Sequence, residues 1–304
     1  MNTTAIREGQ FAQLDNGTRL HYASAGQPGQ PLLLFVHGFP EFWYEWQAQL
    51  AEFGADHFAV APDLRGFNLS DMPDDPAAYK ARHIVDDLRL LAAHLGYRRF
   101  VLVAHDWGGA IAWNLAIAMP QLLRQLIIVN SPHPYLFARA LATDPRQQAA
   151  SEYMNWLRAD GSEAALAKDG FARMEGLFSG MGQPAAGWFT PEVRARYHAC
   201  WSRGLRGGVN YYRASPLHPP APGHAGPLKL DLKPDDFRVM VPTRVIWGER
   251  DIALPSSLLD GLDALVPDLQ IERIPEGSHW VIHEQPQRIN QLIRGFLPPP
   301  DDAS

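Results

Sequence analysis

Five short runs rich in apolar and β-branched residues constrain this chain more than any other feature: Leu32–Val36, Phe58–Ala61, Phe100–Ala104, Leu126–Val129 and Thr243–Trp247. Each is nearly continuous and ends in a polar or glycine-bearing turn, the pattern of strands covered on both faces. Between the second and third runs, Arg82–Leu95 places Ile84, Leu88, Leu91 and Leu95 on one helical face. Strand and helix therefore alternate, which predicts an α/β architecture with a mostly parallel sheet flanked by helices. In such a sheet ligands bind beyond the carboxyl ends of the strands, so the turns after these runs are where chemistry is to be sought.

From about His133 to Arg238 the pattern changes to amphipathic stretches rich in Trp, Tyr, Arg and Ala, interrupted by a Pro- and Gly-rich segment, Pro216–Pro227. Strand character resumes at Val239. The chain thus reads as an α/β core over 1–132, a helical cap over 133–238 and the rest of the core over 239–304, with Pro299–Ser304 a frayed tail. A lid inserted after one strand and before the next lies above the sheet's carboxyl edge.

Bulk properties narrow the function further. The 304 residues, 46% of them hydrophobic, suffice for one catalytic domain with an insertion. A net charge of -6 and the absence of a Lys/Arg stripe argue against a nucleic-acid partner. No apolar run reaches membrane-spanning length, and the start, Met1–Glu8, lacks a secretory pattern. Cys200 is the single cysteine, which leaves no intrachain disulfide. These features predict a cytoplasmic protein with no nucleic-acid or membrane partner. No phosphate loop or dinucleotide fingerprint is present, so no cofactor is expected.

The most specific local feature is Val103–Gly109, in which a strand runs through Ala104 and His105 to Asp106, followed by Trp107, Gly108, Gly109 and a helix beginning near Ala110. Small residues flanking one reactive side chain, between strand and helix, make a nucleophile elbow. With Asp at the apex the nucleophile is a carboxylate, ordinarily ionised at neutral pH and in need of no activating base. Taken alone, Asp106 could be a helix cap. The cap does not account for the strand, the turn and the glycine pair together.

Asp251 and His279 complete the chain order nucleophile, acid, histidine. Asp251 follows Thr243–Trp247 through Gly248-Glu249-Arg250, and His279 follows the short strand Leu269–Ile274 through Pro275–Ser278. Upstream, His37-Gly38-Phe39-Pro40 follows Leu32–Val36 as a tight turn. The amides of Phe39 and Trp107 are candidates for an oxyanion hole. His279, His283 and Glu284 do not follow the zinc order H-E-x-x-H, so no metal is expected. Asp86 and Asp87 read as a solvated helix face.

The chain resembles the epoxide hydrolases of the α/β-hydrolase fold over nearly its whole length. The resemblance is carried by His37–Glu41, Asp63–Asp71, His105–Gly109 and Trp247–Asp251, in order and context. It implies a small-molecule epoxide and water as substrates, a vicinal diol as product, a catalytic triad of Asp106, Asp251 and His279 with the covalent ester on Asp106 and water activated by His279, and two cap tyrosines that hydrogen-bond the epoxide oxygen. Asn210-Tyr211-Tyr212-Arg213 is similar to the family's second tyrosine motif, with Tyr212 in that role, and Glu152-Tyr153-Met154 resembles the first, with Tyr153. His37, Phe39, Pro40, Trp107 and Trp156 are expected at the substrate. The cap aromatics Trp156, Phe178, Trp188, Phe189 and Trp201 fit either an apolar pocket or the cap's own core.

Haloalkane dehalogenases share the Asp nucleophile and often the following tryptophan, but usually carry Asn where Phe39 stands. Fluoroacetate dehalogenases place arginines just after the nucleophile, where this chain has Trp107 and Ala110-Ile111. A non-catalytic ligand-binding member of the fold is a further alternative. The chain departs from the resemblance at Ala104, where glycine is usual, at Phe67, where tyrosine is common, and at Pro216–Pro227, which has no counterpart.

Overall fold

In the computed structural model, which describes residues 5–180, 187–223 and 225–298, the five runs form the interior of a single eight-stranded sheet. The tail segment Pro299–Ser304 lies outside the described residues. In chain order the strands are β1 (Arg7–Gln13), β2 (Arg19–Ala25), β3 (Leu32–Val36), β4 (Phe58–Pro62), β5 (Phe100–His105), β6 (Leu123–Val129), β7 (Thr243–Gly248) and β8 (Leu269–Ile274). They lie in the order β1-β2-β4-β3-β5-β6-β7-β8. From β4 to β8 all neighbours are parallel, whereas β1 and β2 join antiparallel. Every residue of β3, β4, β5 and β7 is buried, as continuous apolar strands require.

The hairpin β1–β2 was not legible as strand. In β1 Phe11 is the one large apolar residue, and Gly9, at φ +75°, lies at a register shift. β2 is buried largely through Ala, Ser, His and Tyr, residues that carry no strand period.

Helices α1 (Gln47–Phe53), α2 (Ala81–His94) and α3 (Asp106–Ala118) connect the first strands. Six more follow β6: α4 (Pro134–Thr143), α5 (Pro145–Ala150), α6 (Glu152–Arg158), α7 (Ser162–Gly180), α8 (Pro191–Trp201) and α9 (Arg206–Ala214). The chain then closes with α10 (Val281–Glu284) and α11 (Pro286–Arg294). Among the described residues between β6 and β7 no strand occurs. The core of this helical stretch is aromatic: the Phe178 ring meets Trp188, Phe189, Tyr197 and Trp201 at 5.1–6.0 Å. Phe178, Trp188, Phe189 and Trp201 are therefore packing residues and do not line the main cavity.

Asp87 is not part of a solvated face. It is fully buried, and Arg65 grips it with two bonds, Nε to Oδ2 at 2.8 Å and Nη2 to Oδ1 at 2.7 Å. Position in α2 explains the difference: Asp87 shares the inward stripe of Ile84, Leu88 and Leu91, while Asp86 points toward solvent and pairs with Arg89. Removing one partner of such a pair strands a buried charge, at a cost of about 3–5 kcal/mol. Asp87→Ala is expected to lose stability on that scale in urea denaturation; a loss below ~1 kcal/mol would show that Arg65 finds water instead.

Candidate active site

Three strand ends place three side chains together. Asp106 directly follows β5 and opens α3 with φ +49°, a left-handed conformation that non-glycine residues rarely adopt. The strain is held by close packing on both sides. A Cβ on Gly38 would lie 2.3 Å from Asp106 Oδ1, and one on Gly108 would lie 2.3 Å from the Val36 carbonyl oxygen. Both positions therefore require glycine, and the β3 turn can press against the elbow. In that contact the Phe39 N–H donates to Asp106 Oδ1 at 2.8 Å. The Trp107 amide, in the first turn of α3, has no carbonyl of its own helix to bond.

Asp251 follows β7 and is fully buried at its side chain. Its Oδ1 accepts the amides of Ala253 and Leu254, each at 2.9 Å. Oδ2 accepts His279 Nδ1–H at 2.6 Å and Asn130 Nδ2–H at 2.8 Å. His279 Nε2 then faces Asp106 Oδ2 at 3.7 Å. Burial works against a charge on His279, but Asp251, its hydrogen bond and Asp106 outweigh it and raise the pKa to about 9. The imidazolium is thus the resting form at neutral pH, flanked by two carboxylates.

Tyr153 on α6 and Tyr212 on α9 line the cavity that opens over Asp106. Their rings lie 6.2 Å apart at 76°, and Tyr212 also meets Trp107 edge-on at 5.0 Å. Burial raises the pKa of both phenols above the ordinary tyrosine value, and Asp106 adds to the shift. Both hydroxyls therefore keep their protons. The cavity encloses about 510 Å³, the size of a small-molecule site, and Trp107, Phe137, Met154, Leu217 and Phe237 make its walls largely apolar.

The structure does not bring every expected residue to this cavity. Trp156 is 39% exposed, on the outer side of α6 beneath the Arg173 guanidinium, because it is three residues from Tyr153 but lies on the solvent-facing flank. His37 is fully buried under the turn: its Nδ1–H donates to the Gly38 carbonyl at 2.8 Å and its Nε2 accepts from Leu64 N–H at 3.0 Å. Pro40 also turns away, and its carbonyl accepts Trp201 Nε1–H at 2.9 Å. Phe39 reaches Asp106 through its amide, while its ring packs edge-on against Tyr212 at 5.5 Å.

Two residues that bond Asp251 and Asp106 lie outside the motifs read from the sequence. Asn130, at φ +38° just after β6, donates Nδ2–H to Asp251 and accepts Gly248 N–H on Oδ1 at 2.8 Å, locking the acid's strand to β6. Ser131 Oγ–H donates to the Asp106 carbonyl at 2.7 Å. An Asn-Ser pair at the end of an apolar strand was the available signal.

Metal-like spacing occurs elsewhere, where ligand atoms of Glu41, Glu45 and His283 lie within 4.8 Å of one another. His283 Nε2 is already bonded to Glu41 Oε1 at 2.9 Å, and the Tyr197 hydroxyl donates to Glu41 Oε2.

With this geometry established, comparisons place the chain. Residues 31–286 match the family model of the alpha/beta hydrolase fold. The chain is 34% identical to Epoxide hydrolase 4 of Mus musculus over 292 residues, covering 93% of this chain and 77% of that protein. Among solved structures, it is similar to the Bacillus megaterium epoxide hydrolase in complex with an inhibitor. That match has TM-score 0.83 and 34% identity, and covers 94% of this chain and 99% of that one. A structure described among novel epoxide hydrolases in metagenomes from hot environments matches with TM-score 0.86 and 35% identity, over 97% and 99% of the two chains. Sequence, topology and the assembled turn geometry agree, and the chain belongs to the epoxide hydrolase family of the α/β-hydrolase fold.

Proposed function

We propose that this hydrolase opens an epoxide to a vicinal diol through a covalent ester on Asp106. The observation that carries the reading is the facing of one carboxylate by two protonated phenols across an apolar cavity. Asp106 attacks an epoxide carbon and the ring C–O bond breaks. One of Tyr153 and Tyr212 gives its proton to the departing oxygen while the other hydrogen-bonds it.

Ester formation removes the Asp106 charge that helps hold the His279 proton. That proton returns to the tyrosinate, and His279 becomes the neutral base that the second half of the reaction needs. Oriented by Asp251, His279 takes a proton from water as the water oxygen attacks the ester carbonyl carbon. The amides of Phe39 and Trp107 hold the oxyanion. Collapse breaks the ester C–O bond, the diol leaves with the remaining proton, and Asp106 and the imidazolium are regenerated. The helical stretch 133–238 serves as the cap, contributing both phenols over the sheet's carboxyl edge.

A dehalogenase would use the same Asp106, and a side-by-side assay separates the two. Styrene oxide, a bromoalkane and fluoroacetate are supplied in parallel, and diol, bromide and fluoride are measured. Diol from styrene oxide with neither halide is expected; halide without diol would overturn the reaction. Tyr153→Phe and Tyr212→Phe are each expected to lower styrene oxide turnover by about 10²-fold, the scale for deleting one transition-state donor.

A further inference from the structure

Behind His279 lies a buried chain of groups that the proposed mechanism leaves idle. Glu45, in the single turn Trp43–Trp46, is 1% exposed and places Oε1 2.5 Å from His105 Nδ1. His105, the last residue of β5, is fully buried, and its Nε2 lies 3.0 Å from the backbone carbonyl oxygen of His279. The two histidine rings are 4.7 Å apart.

A carbonyl oxygen only accepts, so His105 Nε2 carries a hydrogen. The contact between Nδ1 and Oε1 then needs one further proton and has room for no more. The pair is either a neutral imidazole with a carboxylic acid or an imidazolium with a carboxylate. Its net charge is zero in both cases.

Several observations place that proton on Glu45. Its second oxygen, Oε2, is buried without a partner among the described residues. An acid leaves a neutral carbonyl oxygen there, whereas a carboxylate would leave an oxygen sharing a full negative charge with no donor, the costlier arrangement. Burial and then the neighbouring His279 lower the His105 pKa to about 4. Burial and then the Glu41 carboxylate raise that of Glu45 well above the usual range, against the opposing pull of His283 and His279.

We propose that Glu45, as a neutral carboxylic acid, is a positioning residue for the His279 base. Its Oε1–H fixes His105 as the Nε2–H tautomer, and His105 in turn holds the His279 carbonyl. His105 and Asp106 are consecutive, so one strand end sets both the nucleophile and the anchor of the base. Asp251 fixes the ring of His279 through Nδ1, and His105 fixes its backbone. Two anchors then determine the line along which Nε2 approaches Asp106. This inference rests on the proposed function, in which His279 activates water against the Asp106 ester.

The test compares Glu45→Met, which removes the donor at similar volume, with Glu45→Gln, whose amide N–H can still donate to Nδ1. A displaced base slows hydrolysis by a factor of about 10 to 100 while leaving Asp106 free to attack. In Glu45→Met, kcat and KM for styrene oxide are therefore expected to fall together, with ester-bearing enzyme accumulating in intact-mass spectra during turnover. Glu45→Gln is expected to remain near wild type. A lower kcat at unchanged KM without adduct, equal damage in both variants, or no effect in Glu45→Met would each overturn the proposal.

A measurement on unmodified enzyme decides the protonation state without relying on a variant's folding. Histidine ¹⁵N spectra are expected to show His105 protonated at Nε2 and bare at Nδ1 between pH 5 and 8, and a doubly protonated ring would overturn it. His279→Gln separates this proposal from the one beneath it. If that variant gives no adduct, the ester mechanism fails; if it gives one while Glu45→Met does not, only the role of Glu45 fails.

Discussion

His279→Gln is expected to convert the enzyme into a trap for its own substrate. On the proposed mechanism ring opening draws on Asp106, Tyr153 and Tyr212, all of which remain, whereas hydrolysis of the ester lacks its base. Removing a general base costs about 10²–10⁴-fold in rate, so turnover of styrene oxide should fall by that factor. Intact mass should rise by one substrate, and peptide mapping should locate the addition on Asp106. The fold is expected to survive, because Gln can donate to Asp251 as His279 Nδ1–H does, and Asn130 and two backbone amides hold that carboxylate in place. An adduct on another residue, or full turnover, contradicts the assignment.

Asp106→Asn removes the proposed nucleophile, and turnover is expected to drop on the order of 10⁴-fold or more, the scale for deleting a nucleophile. Asn tolerates the left-handed backbone at this position, so little structural damage is expected. Samples are checked by mass for deamidation, which would restore the carboxylate. The variant also reproduces the charge of the esterified enzyme. In wild type the His279 pKa is about 9, with Asp106 among the groups that raise it. Losing that charge takes away a stabiliser of the protonated form, so the pKa must move down. Imidazole NMR titration of Asp106→Asn should show His279 clearly below about 9. Single-turnover ester hydrolysis in wild type should fall as pH drops through that lower value. A His279 pKa unchanged in Asp106→Asn would break the link between ester formation and activation of the base.

Much of this site could be read before any coordinates, for a definite reason. β3, β4, β5 and β7 are buried on both faces and so write themselves as apolar runs, and in this architecture such runs end at the chemistry. Asp106 and Asp251 were predicted by counting from two of those ends and His279 from the end of the half-exposed β8, and the structure brings the three side chains together. β1 and β2 carried no such mark because β1, at the sheet's edge, buries only Ala12, and β2 is buried largely through small and polar side chains. Asp87 was misjudged although it shares the buried stripe of α2, because its partner, Arg65, lies on another element and the period of one helix does not reveal it. Trp156 illustrates the limit of resemblance: a motif locates a helix, but which flank faces the cavity depends on how α6 is rotated. Glu45 escaped for a similar reason, since its meaning lies in a bond to a residue sixty positions away.

The strand order carries a consequence for biosynthesis. β6 and β7 lie side by side, yet the whole helical stretch separates them in the chain. A growing polypeptide therefore completes Asp106, the turn at Phe39, Tyr153 and Tyr212 long before Asp251 and His279 emerge. Until β7 docks, β6 is an unpartnered edge, and Asn130 lacks the Gly248 backbone it clamps. Closing so long a loop is the slow, non-local step in assembling such a sheet. On the proposed mechanism, Asp106 thus waits for β7 and β8 to bring Asp251 and His279, the residues that would release its ester.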